Sequence, residues 1–216
     1  MIVIVDYGVG NLRSVQKAFE SVACEAVITS DPAQLATASG VVLPGVGAFG
    51  DAMVNLRRRE LLFALRAYAK GGRPLLGICL GMQLLFSMSE EHGEHIGLGF
   101  IPGRVKRMRG DFKIPHVGWN QLSLQSDHPL LTGVERGDYA YFVHSFYVEP
   151  VDAAVIVATT SYHQDIPAVV AHGHIFGMQF HPEKSSHTGL TMLRNFAEYC
   201  GIARKEEDAH AGSSSD

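Results

Sequence analysis

This sequence of 216 residues has few cysteines, a single tryptophan and only a small net charge. It contains three cysteines and one tryptophan, and its formal net charge is −4. The cysteines are odd in number and widely spaced, which fits free thiols in a reducing compartment and not a disulfide framework. Half of the negative charge lies in residues 203–216, so the rest of the chain is close to neutral. Such a balance argues against a protein that binds nucleic acid through its phosphates.

Long apolar runs are also missing. No segment approaches the roughly 18 consecutive apolar residues that a membrane-spanning helix requires. The first six residues lack the basic region and the cleavage site of a signal peptide, and they are typical of a strand. We therefore expect a cytoplasmic protein that does not contact a membrane.

The composition favours one folded domain followed by a short tail. Hydrophobic residues make up 46% of the chain and charged residues 19%, which is typical of a chain with a substantial core. No internal repeat or interdomain linker is visible in residues 1–202. Residues 203–216 are charged and then rich in serine, and we expect them to form a disordered tail.

Short apolar runs alternate with amphipathic segments in the first half of the chain. Strands are predicted at residues 2–5, 26–28, 41–43 and 74–78. Helices are predicted at residues 11–22, 51–70 and 80–88. Strands that alternate with helices indicate right-handed βαβ units and therefore a parallel sheet.

The second half is dominated by strand-like segments. These lie at residues 104–108, 117–124, 141–148, 154–159, 169–171 and 175–180. The sequence His-Gly-His at residues 172–174 is typical of a hairpin turn, and residues 187–199 return to helical spacing. We therefore predict an α/β fold. Its central sheet is mostly parallel and flanked by helices, and the second half adds antiparallel strands.

The segment Gly-Ile-Cys-Leu-Gly at residues 77–81 lies between a predicted strand and a predicted helix. A nucleophile flanked by small residues at such a turn is typical of a nucleophile elbow, here with cysteine in place of serine. The turn exposes the Cys79 sulfur at the C-terminal edge of the sheet, beside a helix N-terminus that favours the thiolate. From this segment alone, a buried structural cysteine between packing glycines stays an open alternative. Cys24 and Cys200 lack such a setting and are interpreted as packing residues.

A cysteine nucleophile needs a base, and the base usually needs a group that orients it. His181 and Glu183 directly follow the strand at residues 175–180, and the alternation of extended chain places both side chains on one side. They reach the edge that carries Cys79 if that strand runs parallel to its neighbours. His144 is the nearest rival base, although its position inside a strand favours a structural histidine.

A glycine-rich segment at residues 45–50 matches the G-x-G-x-x-G dinucleotide fingerprint. A dinucleotide site also needs an acidic residue about 20 residues further on, but residues 61–89 contain no Asp or Glu. We therefore predict no nucleotide cofactor, and interpret the loop as a source of backbone N–H groups for an oxyanion hole. The histidine pairs 92/95 and 172/174 have loose metal-like spacing without further ligands, so no metal site is predicted.

Two segments resemble those of a known family. The sequences Gly-Ile-Cys-Leu-Gly-Met-Gln at residues 77–83 and Gly-Met-Gln-Phe-His-Pro-Glu-Lys-Ser at residues 177–185 resemble the class I (triad) glutamine amidotransferases. Three further segments, at residues 6–14, 43–53 and 116–120, are similar to those of the glutaminase subunits of imidazole glycerol phosphate synthases. The resemblance covers about residues 1–200 and implies the flavodoxin-like amidotransferase fold.

The resemblance implies hydrolysis of glutamine to glutamate and ammonia without a cofactor. Cys79 would attack the side-chain amide, His181 would serve as general base and acid, and Glu183 would orient His181. The ammonia would pass to a cyclase subunit, a (β/α)₈ barrel on a separate chain, in a heterodimer. That subunit makes imidazole glycerol phosphate and aminoimidazole carboxamide ribonucleotide in histidine biosynthesis.

The resemblance also implies three groups of binding residues. The oxyanion hole falls on Gly45, Val46, Gly47 and Leu80. Glutamine binding falls on Gln83, His144, Ser145 and Phe146. The partner interface falls on His116, Trp119, Asn120, Gln121 and Lys184. Phe146 stands where most family members carry tyrosine, so a contact made through that hydroxyl would be lost here, whereas a backbone contact would be kept.

Other functions stay open at this stage. A glutaminase subunit of another pathway, such as pyridoxal phosphate synthesis, is the nearest alternative, and the segments at residues 6–14 and 116–120 argue against it. A cysteine peptidase or a thioester hydrolase would use the same nucleophile and base. A non-enzymatic module that keeps only the fold would usually have lost Cys79, His181 or Glu183, and all of them are present.

Overall fold

The computed structural model describes residues 1–202, so the predicted disordered tail lies outside the described residues. The first half of the chain alternates strands with helices as predicted. Its elements are β1 (Ile2–Val5), α1 (Leu12–Ser21), β2 (Ala26–Thr29), α2 (Pro32–Leu35), β3 (Gly40–Gly45), α3 (Phe49–Arg58), α4 (Leu61–Lys70), β4 (Leu75–Cys79) and α5 (Leu80–Leu84).

The second half supplies most of the remaining strands and one long helix. Its elements are β5 (Phe86–Ser89), β6 (His95–Ile96), β7 (Ile101–Arg107), β8 (His116–Leu124), β9 (Tyr139–His144), β10 (Phe146–Pro150), β11 (Ile156–Ser161), β12 (Asp165–His172), β13 (Ile175–Met178) and α6 (Ser186–Tyr199). Short 3₁₀ turns lie at Pro129–Leu131, Ala153–Val155 and Pro182–Lys184.

The large sheet confirms the predicted α/β fold. Its strand order is β2-β1-β3-β4-β13-β12-β11-β8-β9. The pairs from β2 to β13 are parallel, and the pairs from β13 to β9 are antiparallel. The predicted turn at residues 172–174 joins β12 to β13, which pair as an antiparallel hairpin. A smaller sheet has the order β10-β7-β5-β6.

Apolar side chains pack on both faces of the large sheet. On one face, α1 and α6 meet through Phe19 and Phe196, whose ring centroids lie 6.5 Å apart. On the other face, α3 and α4 bury residues such as Leu65, and the small sheet adds Phe86 and Val105 to the same cluster. Because β-strand side chains alternate, β1 contributes to both clusters, which fixes the sheet between two layers.

Two predicted helices are wrong in extent. The helix predicted at residues 51–70 is two helices, because Glu60 adopts a left-handed conformation with φ 60° between α3 and α4. The helix predicted at residues 80–88 ends after one short segment, α5. Phe86 then pairs with Ile101 as part of β5 and is fully buried, so packing of this apolar run against β7 overrides its helical spacing.

The strand predicted at residues 141–148 is also divided. His144 ends β9 in the large sheet, whereas Phe146 begins β10 in the small sheet. Ser145 lies between them, and its carbonyl accepts the Met108 N–H over 2.9 Å. The short turn at residues 144–146 therefore ties the two sheets together. Within residues 1–202, no helix is both long and apolar enough to cross a membrane.

Candidate active site

Cys79 lies at the predicted strand-to-helix turn, where β4 ends and α5 begins. Its backbone has φ 54° and ψ −112°, a conformation that costs a non-glycine residue about 1–3 kcal/mol. A Cβ at Gly77 would lie 2.5 Å from the Gly81 carbonyl oxygen, and a Cβ at Gly81 would collide with the Leu43 carbonyl. Both glycines are therefore required for this elbow, which holds the sulfur at the end of the sheet.

His181 reaches Cys79 because β13 runs parallel to β4. The two strands pair in register from Ile175↔Leu75 to Met178↔Ile78, so both end at the same edge. The Cys79 side chain lies close enough to the imidazole to raise its pKa. Its Nδ1 lies 2.9 Å from Glu183 Oε1. A nucleophile, a base and an orienting carboxylate thus form one continuous array.

The contact between His181 and Glu183 is made in a different way from the one predicted. The sequence predicts an extended segment, but Pro182–Lys184 forms a 3₁₀ turn. This turn brings the carboxylate back to the ring of the histidine two residues earlier. The Glu183 side chain is 1% exposed, and its second oxygen has no hydrogen-bond partner among residues 1–202. The carboxylate is therefore shielded from water and serves a single ring nitrogen in the described chain.

The hydrogen bonds of His181 favour its protonated form. Burial alone would lower its pKa, but the hydrogen bonds to Cys79 and Glu183 and their negative charges outweigh burial and raise the pKa to about 10. An imidazolium beside the sulfur stabilises a thiolate, the reactive form of cysteine. The array is therefore suited to nucleophilic attack at neutral pH.

His144, the rival base, has both ring nitrogens engaged within the described chain. Its Nδ1 lies 2.8 Å from the Phe146 carbonyl oxygen, and its Nε2 lies 3.1 Å from His116 Nδ1. Burial lowers the pKa of His144 to about 3. Its ring is therefore neutral at physiological pH, with no nitrogen left to accept the proton of Cys79.

The glycine-rich segment forms the loop between β3 and α3, here called the β3–α3 loop (residues 46–48). Gly45, the last residue of β3, pairs with Cys79. Val46 is 44% exposed, and Gly47 has φ 92° with open space around its α-carbon. Leu80 N–H is the first amide of α5 and has no acceptor within that helix. The β3–α3 loop and the start of α5 therefore flank Cys79 on two sides.

A cavity of about 850 Å³ lies over Cys79 and His181, and the β3–α3 loop and the turn at residues 144–146 line it. Gln83, one turn beyond Cys79, also lines it. Its Nε2 donates both hydrogens, to the Phe146 carbonyl oxygen and to Gln179 Oε1, each over 3.1 Å. The side-chain oxygen of Gln83, Oε1, is therefore the atom that remains available to a ligand. The predicted glutamine-binding residues are thus brought together around one cavity.

Gln179 is a site residue that the sequence analysis missed. It is fully buried, and its Nε2 lies 4.0 Å from Cys79 Sγ. It fixes the amide of Gln83 and approaches the sulfur at the same time. One signal was available, because Gln179 is the one amide in an otherwise apolar strand end, two residues before His181.

The predicted partner residues divide into exposed and buried ones. Trp119, Gln121 and Lys184 are exposed, and Asn120 is half-buried. His116 is 0% exposed and contacts His144, so its side chain lies beneath the exposed face and any part it has in an interface stays a prediction. The reason is strand alternation, since its neighbours on β8 point outward while His116 points into the core.

The histidine pairs 92/95 and 172/174, whose spacing loosely resembles that of metal ligands, do not form a metal site with other residues of the described chain. Within residues 1–202, no group of three or more His, Cys, Asp or Glu side chains is placed to hold a metal ion. His95 instead lies against Gly50, where a Cβ would meet its ring. His172 Nδ1 lies 3.2 Å from the Phe100 carbonyl oxygen. Both residues therefore have packing contacts of their own.

Comparison with solved structures supports the same fold. A crystal structure of a glutamine amidotransferase superimposes with a TM-score of 0.75, covering 94% of this chain and 100% of that one at 20% identity. The structure of PurLQS from Thermotoga maritima superimposes with a TM-score of 0.73, covering 92% and 97% of the two chains at 21% identity. At these identities the likeness concerns the fold alone.

Sequence comparisons are more specific. The family model for glutamine amidotransferase class-I matches residues 3–200. The imidazole glycerol phosphate synthase subunit HisH of Halobacterium salinarum is 54% identical over 92% of this chain and 93% of its own length. The subunit HisH of Moorella thermoacetica is 50% identical over 91% and 94%. The chain belongs to the class I glutamine amidotransferases and, within them, to the HisH family of imidazole glycerol phosphate synthase subunits.

Proposed function

We propose that this chain is the glutaminase subunit of an imidazole glycerol phosphate synthase. It hydrolyses glutamine to glutamate and ammonia and delivers the ammonia to a separate cyclase chain in histidine biosynthesis. The observation that carries this proposal is the array of Cys79, His181 and Glu183, in which His181 and Glu183 are hydrogen-bonded, beneath a cavity of about 850 Å³. We place the enzyme in the cytoplasm, where its three free cysteines stay reduced.

The reaction begins with attack of Cys79 Sγ on the side-chain carbonyl carbon of glutamine. His181 already holds the proton given up by the Cys79 thiol and delivers it to the nitrogen that leaves as ammonia, so the enzyme is left as a glutamyl thioester with a neutral His181. Water, deprotonated by His181, then cleaves the thioester and releases glutamate. Glu183 accepts the Nδ1–H of His181 over 2.9 Å and so keeps the other ring nitrogen directed at the sulfur.

The negative oxygen of each tetrahedral intermediate needs donors, and backbone N–H groups supply them. We assign this role to Leu80 and to Gly45, Val46 and Gly47 of the neighbouring strand end and loop. The peptide units around Val46 have room to rotate, because Val46 is exposed and Gly47 is surrounded by open space. One orientation turns a carbonyl toward the site, and the other completes the oxyanion hole. One donor of this kind contributes about 10²–10³-fold in rate.

Glutamine is held by Gln83 and by the turn at residues 144–146. The free Oε1 of Gln83 accepts a hydrogen bond from an N–H group of the substrate, since both of its amide hydrogens are already donated. The Phe146 carbonyl accepts hydrogen bonds from Gln83 and His144, so this residue acts through its backbone. These backbone contacts are the same for phenylalanine as for tyrosine, whereas any contact of glutamine with a tyrosine hydroxyl at this position is lost here.

The partner docks on the exposed face of β8 and β9, here called the docking face. Four apolar side chains on these strands are exposed by 37–52%: Val117, Trp119, Tyr139 and Val143. The register Val117↔Val143 places two of them side by side, and the rings of Trp119 and Tyr141 lie 5.8 Å apart. An exposed aromatic anchor in an apolar patch suits a protein interface. We propose that the cyclase subunit, a (β/α)₈ barrel, covers this face, with Lys184 at its rim beside the catalytic array.

A steady-state glutaminase assay tests the proposal on three samples: the chain alone, its complex with the cyclase, and the complex with a cyclase ligand. We expect weak activity for the chain alone and a large increase in the liganded complex, because hydrolysis without an acceptor wastes glutamine. The complex should also form imidazole glycerol phosphate with glutamine or an ammonium salt as nitrogen donor. Equal glutamine hydrolysis by all three samples would identify a stand-alone glutaminase instead.

A further inference from the structure

Two side chains from distant parts of the chain hold the peptide units on either side of the β3–α3 loop. The Tyr7 hydroxyl donates to the Pro44 carbonyl oxygen over 2.8 Å, just before the loop. Glu91 Oε2 accepts the Phe49 N–H over 2.6 Å, just after it. The chain between these contacts is the segment to which we assigned the oxyanion hole.

Tyr7 is fully buried next to the catalytic cysteine. Burial raises the pKa of its hydroxyl far above the usual value, and the negative charge of Cys79 raises it further. The hydroxyl therefore stays a hydrogen-bond donor. Pro44 pairs with Ile78 in the sheet, so the Tyr7 contact fixes the last peptide unit of β3 before the loop. Without the hydroxyl, the Pro44 carbonyl would lose a buried donor.

Glu91 lies on the segment between β5 and β6, on the wall of the active-site cavity. Its carboxylate meets the first amide of α3, a helix of ten residues, where the helix dipole favours a negative charge. Glu91 N–H in turn donates to Ser89 Oγ over 3.2 Å, and Ser89 is 1% exposed. The carboxylate therefore connects the start of α3 to a buried part of the small sheet.

We propose that Tyr7 and Glu91 are positioning residues for the oxyanion hole. They fix the chain at Pro44 and Phe49 and so confine rotation to the peptide units in between. When the loop rotates, its N–H group then meets the oxygen of the intermediate at a defined point. This inference rests on the proposed function, because it assumes the oxyanion role of the β3–α3 loop. A donor displaced by a fraction of its hydrogen-bond length loses much of its contribution to rate.

The test compares matched variants in complex with the cyclase and its ligand. Tyr7→Phe removes one buried hydroxyl near the loop. Tyr68→Phe is its control, since the Tyr68 hydroxyl is also buried and donates to a proline carbonyl, that of Pro74, at the opposite end of β4. Glu91→Ala removes the acceptor for Phe49 N–H, whereas Glu91→Gln keeps an oxygen there. Glu94→Ala is the control on the same segment, exposed and paired with Arg104.

The measurements are kcat and KM for glutamine and the rate of Cys79 alkylation by iodoacetamide. Alkylation displaces iodide from a saturated carbon and forms no oxyanion, so it reports the thiolate alone. We expect Tyr7→Phe and Glu91→Ala to lower kcat about 10- to 100-fold, with KM and alkylation unchanged. Glu91→Gln should largely restore kcat, and both controls should match the wild type.

Three results would overturn the inference. The first is an unchanged kcat in both Tyr7→Phe and Glu91→Ala. The second is a raised KM with an unchanged kcat in Glu91→Ala and Glu91→Gln alike, because Glu91 would then bind glutamine itself. The third is a parallel loss of alkylation, which would indicate general damage to the site. A wild-type complex without glutaminase activity would instead refute the proposed function.

Discussion

The side chains of His181 and Glu183 are joined across a single 3₁₀ turn, with Nδ1 and Oε1 2.9 Å apart. The proposed base and its orienting group thus lie in one short segment that follows β13. Their mutual geometry does not depend on how distant elements pack. The position of Cys79 relative to His181 does depend on packing, and the parallel pairing of β13 with β4 fixes it.

The role of Cys79 predicts a selective loss. Cys79→Ala should lower glutaminase activity by about 10⁴-fold or more, because no other group in the array forms the thioester. The same complex should still use an ammonium salt to form imidazole glycerol phosphate, since the cyclase chemistry does not need the thiol. Cys200→Ala, at the end of α6, is the control and should keep both activities. Loss of the ammonium-dependent reaction as well would contradict the assigned role.

The two histidines near the cavity should differ sharply. His181→Ala should lower kcat for glutamine by about 10²–10⁴-fold, the usual contribution of a general base. Glu183→Gln should be milder, because its amide oxygen still accepts the Nδ1–H bond. His144→Ala should mainly affect KM and stability, since its ring holds the Phe146 carbonyl. A wild-type rate for His181→Ala together with an inactive His144→Ala would move the base to His144.

The raised pKa of His181 predicts a pH dependence of stability. The folded protein keeps its proton up to about pH 10, whereas the unfolded chain releases it near pH 6.5. The contribution of this group to the free energy of unfolding is therefore complete below pH 6.5 and is lost as the pH rises to about 10. Urea unfolding between pH 6 and 10 measures the decline, and NMR titration of the ring measures the pKa directly.

One variant tests the origin of the pH dependence, and a second serves as its control. In Glu183→Gln the carboxylate charge is gone, so the pKa of His181 should fall and the decline in stability should be shallower. His187→Ala removes an exposed histidine of α6 and should reproduce the wild-type profile. An unchanged profile in Glu183→Gln would mean that the carboxylate does not stabilise the imidazolium.

If the proposed docking face is correct, a substitution there should weaken assembly with the cyclase without removing the glutaminase chemistry. Trp119→Ala should weaken binding of the cyclase by about 30-fold, which corresponds to about 2 kcal/mol for a central aromatic anchor. Phe63→Ala is the matched control, because Phe63 is 72% exposed on α4, away from β8 and β9. Titration calorimetry measures both. Equal binding by the two variants would place the interface elsewhere.

Lys184 directly follows Glu183, is exposed and lines the cavity over Cys79, so we expect it to affect coupling. Lys184→Ala should keep the intrinsic reactivity of Cys79 while changing how far the cyclase ligand stimulates glutamine hydrolysis. The ratio of glutamate formed to imidazole glycerol phosphate formed is the readout. A ratio equal to that of the wild type, with full stimulation, would remove Lys184 from the coupling.

The sequence predicted the features that depend on neighbouring residues. The elbow at Cys79 was predicted from two glycines at a strand-to-helix junction. The position of the site at the C-terminal edge of the sheet was predicted from strands that alternate with helices. Contacts between distant segments were not visible. The Phe49–Glu91 contact spans 42 positions and the Cys79–Gln179 contact spans 100. Likewise, the break at Glu60 carries neither a glycine nor a proline that would have marked it.

Val143 links the proposed docking face to the catalytic sulfur. Its side chain is 37% exposed on that face, while its carbonyl oxygen lies 3.9 Å from Cys79 Sγ. Since β9 is the edge strand, a subunit seated there would be separated from the reactive sulfur by the thickness of one strand. Binding equilibria at such close range are linked in both directions. Any factor by which the docked subunit tightens glutamine binding must equal the factor by which glutamine tightens docking of the subunit.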